Sequence, residues 1–349
     1  MINLFVLTTL LLAGMHASYG QSIDRSEEQT NSGLKELAFE VKYGKTPKNL
    51  SYKKVKENID STLVNNWLFN AQKSSKPEML LNFLEPDFLE FTLSKKYGFH
   101  PEYKKLEEYQ NFFRWVQRFE HQRFVLINIA NNELIYYQDN LPVLRMNVIV
   151  GTAKNKTPTM ATYADALVVY PYWTATRNIA FNEILPAVKK DIGYLARNSF
   201  VVLDKNYKII DPTSIEWQSI DASNFQYTFR QGTGCDNSLG LLKINIENPL
   251  SVYMHDTPHT ERSQSLFNKE NRFFSHGCIR LQKPLELAQL LDPVTDIDEN
   301  LMNECLINQT PKTISLKEKV PVFIMYFTDY IDENGDWKSV RDHYGLNKK

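Results

Sequence analysis

After residue 122 the chain contains several short segments that are rich in apolar residues, and the first of these are bounded by turn residues, a pattern typical of β-strands. Turns at Asn131-Asn132 and Asp139-Asn140 separate the first of these segments. The predicted strands are Arg123–Ile129, Glu133–Tyr137, Leu144–Val150, Leu241–Ile246, Ser251–Met254 and Val320–Phe327. Residues 121–349 are therefore expected to form a mainly β domain.

The preceding region has a different period. Between about 57 and 120 the apolar residues recur at the spacing of amphipathic helices. Two helical faces are predicted: Ile59, Leu63 and Trp67 on one, and Leu106, Tyr109, Phe113 and Val116 on the other. We expect residues 21–120 to form a small helical scaffold.

The strand pattern is interrupted between about 171 and 230, where helix and loop patterns replace it. Asn182–Lys190 is the clearest helix of this block, which is also rich in aromatic residues. Strands are predicted on both sides of the block. It is therefore expected to be a helical and loop insertion that lies over the sheet.

Residues 1–20 contain no charged side chain, and their apolar run Leu4–Gly14 is too short to cross a bilayer. The small residues Ser18 and Gly20 stand where a signal peptidase would require them. We interpret residues 1–20 as a signal peptide. No later apolar run is long enough to span a membrane, so we expect no stable membrane insertion after cleavage.

Composition excludes several classes of protein. Hydrophobic residues are 42% and charged residues 23%, which argues against a mostly disordered chain. The net charge of -1 is not that of a protein that binds nucleic acid through a basic surface. The 3 cysteines, Cys235, Cys278 and Cys305, leave at least one thiol free, and whether Cys235 and Cys305 pair stays open. Catalysis is one reason to keep a free thiol in an exported protein.

Residues with reactive side chains are concentrated between 253 and 281. A cysteine nucleophile needs a base or a field that lowers its pKa, and donors for the oxyanion formed when it attacks a carbonyl. His255, at the end of a predicted strand, is the candidate base for Cys278. Consecutive backbone N–H groups of the Ser275–Cys278 turn are candidate oxyanion donors, and Gly277 permits backbone torsions that a Cβ would forbid.

This arrangement resembles the signature of the L,D-transpeptidase catalytic domain, the YkuD-like family. The signature is a His, two residues, a gap, then Ser/Thr-His-Gly-Cys, any residue and Arg. Here His255 is followed by a gap of 17 residues, 258–274, and then by Ser275-His276-Gly277-Cys278-Ile279-Arg280. His259 would leave a gap of only 13 residues, shorter than that of the signature, and is the poorer candidate.

The resemblance extends over residues 123–330, which are similar to the long, YcbB-like branch of the family. It implies a β-sandwich catalytic domain in which the insertion after Trp173 forms a lid over the active site. The segments that carry the likeness include Thr157-Pro158, Pro171-Tyr172-Trp173, Glu183-Ile184-Leu185-Pro186, Asn237-Ser238-Leu239-Gly240 and His255-Asp256-Thr257-Pro258.

The resemblance also implies a reaction, which is 3→3 cross-linking of peptidoglycan in the periplasm or cell envelope of a bacterium. Cys278 would form a thioester with a donor tetrapeptide stem, and the amine of a second stem would then attack it. His255 would transfer the protons, and a carbonyl at or near Asp256 would orient its ring. Backbone N–H groups of His276, Gly277 and Cys278 would hold the oxyanion, with Ser275 supporting the turn.

Three residues are candidates for binding substrate: Arg280, which would fix either the loop or a substrate carboxylate, and Tyr253 and Trp173, which could instead be core residues. No cofactor is implied. Water in place of the amine would give an L,D-carboxypeptidase or endopeptidase, and the acceptor could also be a protein lysine or a D-amino acid. Two readings from other classes are a non-catalytic wall-binding protein and a zinc site with ligands from His255, His259, His276 and Cys278.

Overall fold

The computed structural model describes residues 27–74, 77–119, 122–294, 297, 305 and 309–347. The expected signal peptide, residues 1–20, lies outside the described residues. No helix within the described ranges combines the length and apolar character needed to cross a membrane.

β-strands make up most of the regular structure after residue 122. The strands are β1 Tyr52–Lys53, β2 Arg123–Asn128, β3 Glu133–Gln138, β4 Leu141–Gly151, β5 Met160–Val169, β6 Trp173–Thr174, β7 Phe200–Leu203, β8 Ile209–Ile210, β9 Thr228–Gln231, β10 Leu242–Ile246, β11 Met254–His255, β12 Phe273–Ser275, β13 Ile279–Leu281, β14 Lys312–Met325, β15 Asp329–Ile331 and β16 Trp337–Ser339. The predicted strands are confirmed except for Ser251–Met254, of which only Met254 lies in a strand, and β5 is a long strand that the sequence pattern did not reveal.

The large sheet closes on itself. Its strand order is β1-β5-β10-β11-β13-β4-β3-β2-β14, and β14 also pairs with β5, while β12 pairs with β4. The long strand β14 makes closure possible, because its register against β5 shifts between Ser315 and Val320. A shift of this kind bends a strand and increases its twist.

Side chains alternate between the inside and the outside of this closed sheet. Ile244, Met254 and Ile279 are fully buried in the main apolar core inside it. Their neighbours along β10, β11 and β13 point to the outer face. The mainly β fold predicted from the sequence is confirmed, and one outer face of it carries the polar residues discussed below.

Helices surround the sheet. The α-helices are Glu27–Tyr43, Thr62–Ala71, Leu89–Ser94, Glu107–Val116, Arg177–Ile179, Leu185–Lys190, Gly193–Arg197, Glu261–Ser265 and Pro284–Leu291, with a π-helical turn at Ala180–Ile184. Short 3₁₀ helices are Pro77–Leu84, Lys95–Tyr97, Tyr103–Leu106, Pro212–Ser214, Trp217–Ser219 and Leu266–Asn268.

The helices that precede the sheet pack against the outside of β2, β3 and β14. The predicted face of Leu106, Tyr109, Phe113 and Val116 is buried there, which confirms it. The other predicted face is wrong at Leu63, which is exposed, because the helix instead buries Val64, Trp67 and Ala71. The helix is rotated so that it packs against Glu27–Tyr43, which has its own apolar cluster.

The block between β5 and β10 has its own core. It contains the predicted helix around 182–190 and, in addition, a small sheet of order β6-β9-β7-β8 that the sequence pattern did not reveal. Phe225 and Phe229 are buried between these strands and helices. A separate core means that this insertion can hold its shape while it contacts the main sheet.

Candidate active site

The Ser-His-Gly-Cys turn joins β12 to β13 and is held by its own hydrogen bonds. The Ser275 hydroxyl donates to the Cys278 carbonyl at 2.6 Å and accepts from the Gly277 N–H at 3.1 Å. Thr157 donates from its hydroxyl to the Gly277 carbonyl at 2.9 Å. Gly277 has a φ of +118°, a conformation that favours glycine. The turn is therefore fixed before any substrate binds.

The hydrogen bonds within the turn limit which of its backbone N–H groups can donate to an oxyanion. Because the Gly277 N–H donates to the Ser275 hydroxyl, it is already engaged and is not available as an oxyanion donor in this structure. Ser275 has a supporting role in the turn, as expected. The N–H groups of His276 and Cys278 remain predicted donors.

Cys278 lies half-buried immediately before β13, and its thiol donates weakly to the Ser251 carbonyl at 3.7 Å. Burial raises the pKa of the Cys278 thiol, and hydrogen bonding with Tyr253 and the charges of Lys243 and Arg280 offset this only partly. The thiol is therefore mostly protonated at neutral pH, and it needs a base to become a nucleophile.

His255 ends β11 and is buried, with 4% of its surface exposed. Its Nδ1 lies 2.5 Å from the Asp256 carbonyl oxygen. A carbonyl oxygen only accepts, so Nδ1 carries the hydrogen and Nε2 carries the lone pair. Burial and the charge of Arg280 lower the pKa of His255 to about 3, so the ring is neutral at neutral pH. A neutral ring with Nε2 unprotonated can accept a proton.

The strand register brings the side chains of His255 and Arg280 to the same face. β11 runs parallel to β13, with His255 opposite Arg280, and the Ile279 N–H donates to the Tyr253 carbonyl at 3.0 Å. His255 and Arg280 are paired across β11 and β13 and alternate with the buried Met254 and Ile279, so both face outward. The rings of Tyr253 and His255 are 5.8 Å apart between centroids.

Asp256 supports the peptide that orients His255. Its buried carboxylate accepts from the N–H groups of Leu241 at 2.9 Å and Thr257 at 2.7 Å. The same carboxylate lies 2.8 Å from Nε2 of His259, a contact that raises the pKa of His259. These three contacts fix the position of Asp256 and therefore of its backbone carbonyl.

His259 faces away from the turn, toward a disulfide. Cys235 and Cys305 are bonded to each other, and Nδ1 of His259 lies 3.6 Å from the Cys235 sulfur. Closing a loop of 70 residues stabilises a fold by about 4 kcal/mol in the chain-entropy model. The pairing that the sequence left open is thus resolved, and Cys278 is the free thiol.

The zinc site considered from the sequence is not assembled. Among the described residues, the ligand-type atoms that lie close enough to share a metal are those of Cys235, His259 and Cys305, and two of these form the disulfide. His255, His276 and Cys278 are not part of that cluster.

The insertion reaches the turn through one polar contact. Glu183 lies in the π-helical turn, and its Oε1 is 2.7 Å from Nε2 of His276. Trp173 belongs to the insertion itself. The centre of its ring lies 5.7 Å from that of Phe200. Its backbone is part of β6, which pairs with β9. Trp173 is partly buried against the core of the insertion, and its role in binding substrate stays a prediction.

Sequence reasoning missed Lys243. It lies on β10 directly opposite His255, and its Nζ is 4.4 Å from the centre of the Tyr253 ring. The sequence did contain a signal for it, because Lys243 lies between apolar residues of the strand Leu242–Ile246. On a strand with one buried face, such a lysine must point outward. Only the pairing of β10 with β11 brings it beside the thiol.

A family model of the L,D-transpeptidase catalytic domain, YkuD, matches residues 122–322 of the chain. A protein of Haemophilus influenzae, provisionally named an L,D-transpeptidase, is 35% identical over 225 residues. The alignment covers 64% of this chain and 45% of the relative, so the chain spans less than half of that relative's length.

Solved L,D-transpeptidase structures are similar at low identity. One from Mycobacterium smegmatis is 14% identical, with 58% of each chain covered and a TM-score of 0.26. The catalytic domain of the E. faecium enzyme, acylated by ertapenem, is 10% identical, with 59% of this chain and 98% of that chain covered and a TM-score of 0.26. TM-scores this low carry no argument about the fold, which stands on the closed sheet described above.

Proposed function

Because this chain belongs to the L,D-transpeptidase catalytic domain family, we propose that it forms 3→3 cross-links in peptidoglycan through a thioester on Cys278. The observation that carries the proposal is the register of β11 and β13, which pairs His255 with Arg280, two residues after Cys278. The fixed Nδ1 of His255 supports it, because the ring then offers Nε2 to the thiol.

Acylation is the first half of the proposed reaction. Nε2 of His255 takes the thiol proton as the Cys278 sulfur attacks the carbonyl of the third residue of a donor tetrapeptide stem. The oxyanion accepts hydrogen bonds from the N–H groups of His276 and Cys278. His255 then gives its proton to the amide nitrogen of the terminal D-alanine, which leaves, and a thioester remains.

Transfer to an acceptor is the second half. The amine of a second stem attacks the thioester carbonyl and loses a proton to Nε2 of His255. The carbon–sulfur bond breaks, the proton returns to Cys278, and the new amide bond is the cross-link. A neutral imidazole suits both halves, since in each it must first accept a proton.

The proposal is tested by mass spectrometry of the products that the purified chain makes from disaccharide-tetrapeptide. We expect a dimer that has lost one D-alanine, and fragmentation that places the new bond between the third residues of both stems. A tripeptide as the sole product would instead assign hydrolysis. A dimer joined through a fourth residue would contradict the proposal, and Cys278→Ala serves as the blank.

The insertion is proposed to act as a lid that shields the thioester from water. Glu183→Ala removes its contact with His276, and the ratio of hydrolysed tripeptide to cross-linked dimer is expected to rise roughly two- to fivefold, the effect of one exposed polar contact. Both products are quantified in the same reaction by chromatography.

The matched control is Glu216→Ala, which makes the same change elsewhere on the insertion, at an exposed position. A deletion through 205–220 would be a poorer test, because Trp217 and Ile220 belong to the core of the insertion. An unchanged product ratio in Glu183→Ala, or an equal rise in both variants, would contradict the lid.

A further inference from the structure

Two cationic side chains lie beside the proposed nucleophile on the outer face of the sheet. In the strand register Lys243 stands opposite His255, and His255 stands opposite Arg280, so the three form a row across β10, β11 and β13. Arg280 follows Cys278 by two residues. Nζ of Lys243 lies over the ring of Tyr253, whose carbonyl accepts from the N–H of Ile279, the residue after Cys278.

Lys243 and Arg280 are both half-buried, and the described residues provide neither of them with an anionic partner. Nε of Arg280 is buried and has no hydrogen-bond partner within the described part of the chain. Within the same ranges neither Lys243 nor Arg280 forms an ion pair with a carboxylate, although Asp165 exerts a longer-range attraction on Lys243. Buried charges are ordinarily paired, because an unpaired one loses its hydration without compensation.

The pKa shifts of Lys243 and Arg280 also indicate that these cations lack a stabilising anion. Burial lowers the pKa of both Lys243 and Arg280, which means that each cation is less stable here than in water. An anion that enters this row would restore the lost stabilisation, and an arginine can bind a carboxylate through two parallel hydrogen bonds. The chemistry of the pair therefore favours a carboxylate ligand.

We propose that Lys243 and Arg280 bind the carboxylate of the residue that leaves the donor stem, and so select donors that end in a free carboxylate. This rests on the proposed function. In a tetrapeptide donor only the amide nitrogen and one carbon separate the scissile carbonyl from that carboxylate. When the carbonyl lies against the Cys278 sulfur, the carboxylate must lie within reach of the neighbouring row.

The first test compares two donors that differ in one group, a tetrapeptide with a terminal carboxylate and the same peptide as the carboxamide. Acylation of Cys278 is followed as a mass increase of the intact protein. The wild-type chain is expected to prefer the carboxylate by roughly 10- to 100-fold in kcat/KM, the range for a hydrogen-bonded charge. Lys243→Met should lose most of that preference, and Lys243→Arg should keep part of it.

The matched control is Lys317→Met, the same change at an exposed position on β14. It should leave the preference unchanged. An equal rate with both donors in the wild-type chain would overturn the inference, and so would a Lys243→Met variant with the full preference.

The second test does not depend on peptidoglycan. Cys278 is the free thiol, so its alkylation by iodoacetate, an anion, can be compared with alkylation by neutral iodoacetamide. Lys243→Met should lower the ratio of the two rates about tenfold, because a charge-assisted contact is lost. Lys243→Arg should restore the ratio, which excludes misfolding as the cause. An unchanged ratio in Lys243→Met would overturn the inference.

The two tests separate failure of the inference from failure of the proposed function. If neither donor acylates the wild-type chain, the proposed function is wrong, and the alkylation ratio still decides whether the two cations attract a carboxylate. If Lys243→Met changes only the pH at which iodoacetamide reacts, Lys243 acts on the thiol and not on a ligand, and the inference is wrong.

Discussion

Replacing Cys278 with alanine is expected to abolish product formation, with a fall of at least roughly 10⁴-fold in turnover. The side chain supplies the only atom that could form the acyl intermediate, because the other two cysteines are joined in a disulfide. The fold should survive, since one half-buried sulfur is removed and the turn is held by Ser275 and Thr157. Dimer formation and the free energy of unfolding are measured on the same preparation.

The control for this variant removes the other sulfurs. Cys235→Ala/Cys305→Ala should still be acylated, while its free energy of unfolding falls by about 4 kcal/mol. Acylation can also be followed with a small carbapenem, which the family resemblance suggests is a thiol acylator. Residual turnover in Cys278→Ala would show that another group is the nucleophile.

Replacing His255 with alanine is expected to lower the acylation rate by roughly 10²- to 10⁴-fold, the contribution of a positioned general base. The physical reason is the raised pKa of the Cys278 thiol, which leaves little thiolate unless a base assists. The pH profile should change as well. The wild-type rate should vary little above the His255 pKa of about 3, whereas the variant should gain about tenfold per pH unit as thiolate forms.

His259→Ala is the matched control, because His259 contacts Asp256 and the disulfide and not the thiol. We expect only a small loss of rate, transmitted through the Asp256 carbonyl, and a pH profile like that of the wild-type chain. Single-turnover acylation at several pH values compares the two variants. If His259→Ala were the more damaging, the assignment of the base to His255 would be wrong.

The local sequence pattern was sufficient to predict secondary structure wherever residues that are close in sequence are also close in space. The spacing of Leu106, Tyr109 and Phe113 identified a buried helical face, and the alternation in Leu242–Ile246 identified a strand. The Ser275–Cys278 turn could be proposed from sequence because its hydrogen bonds form within four consecutive residues. The same reasoning failed at Leu63, since the rotation of that helix is decided by the helix packed against it.

Features that join distant segments could not be predicted. The sheet inside the insertion pairs β6 with β9, about sixty residues apart by chain position. The Cys235–Cys305 bond closes a loop of 70 residues. Alternation within one strand says which of its residues share a face, but it does not say which strand lies beside it.

The sequence by itself determined the reactive residue types and the turn that holds Cys278, whereas the strand predicted at Ser251–Met254 is in fact the short strand Met254–His255. The tertiary structure alone decided that β10, β11 and β13 are neighbours in this register. That register sets Lys243, His255 and Arg280 in one row beside the thiol. The reason is physical: the sheet closes so as to bury Ile244, Met254 and Ile279 inside it, and the residues between them are then forced together on the outer face.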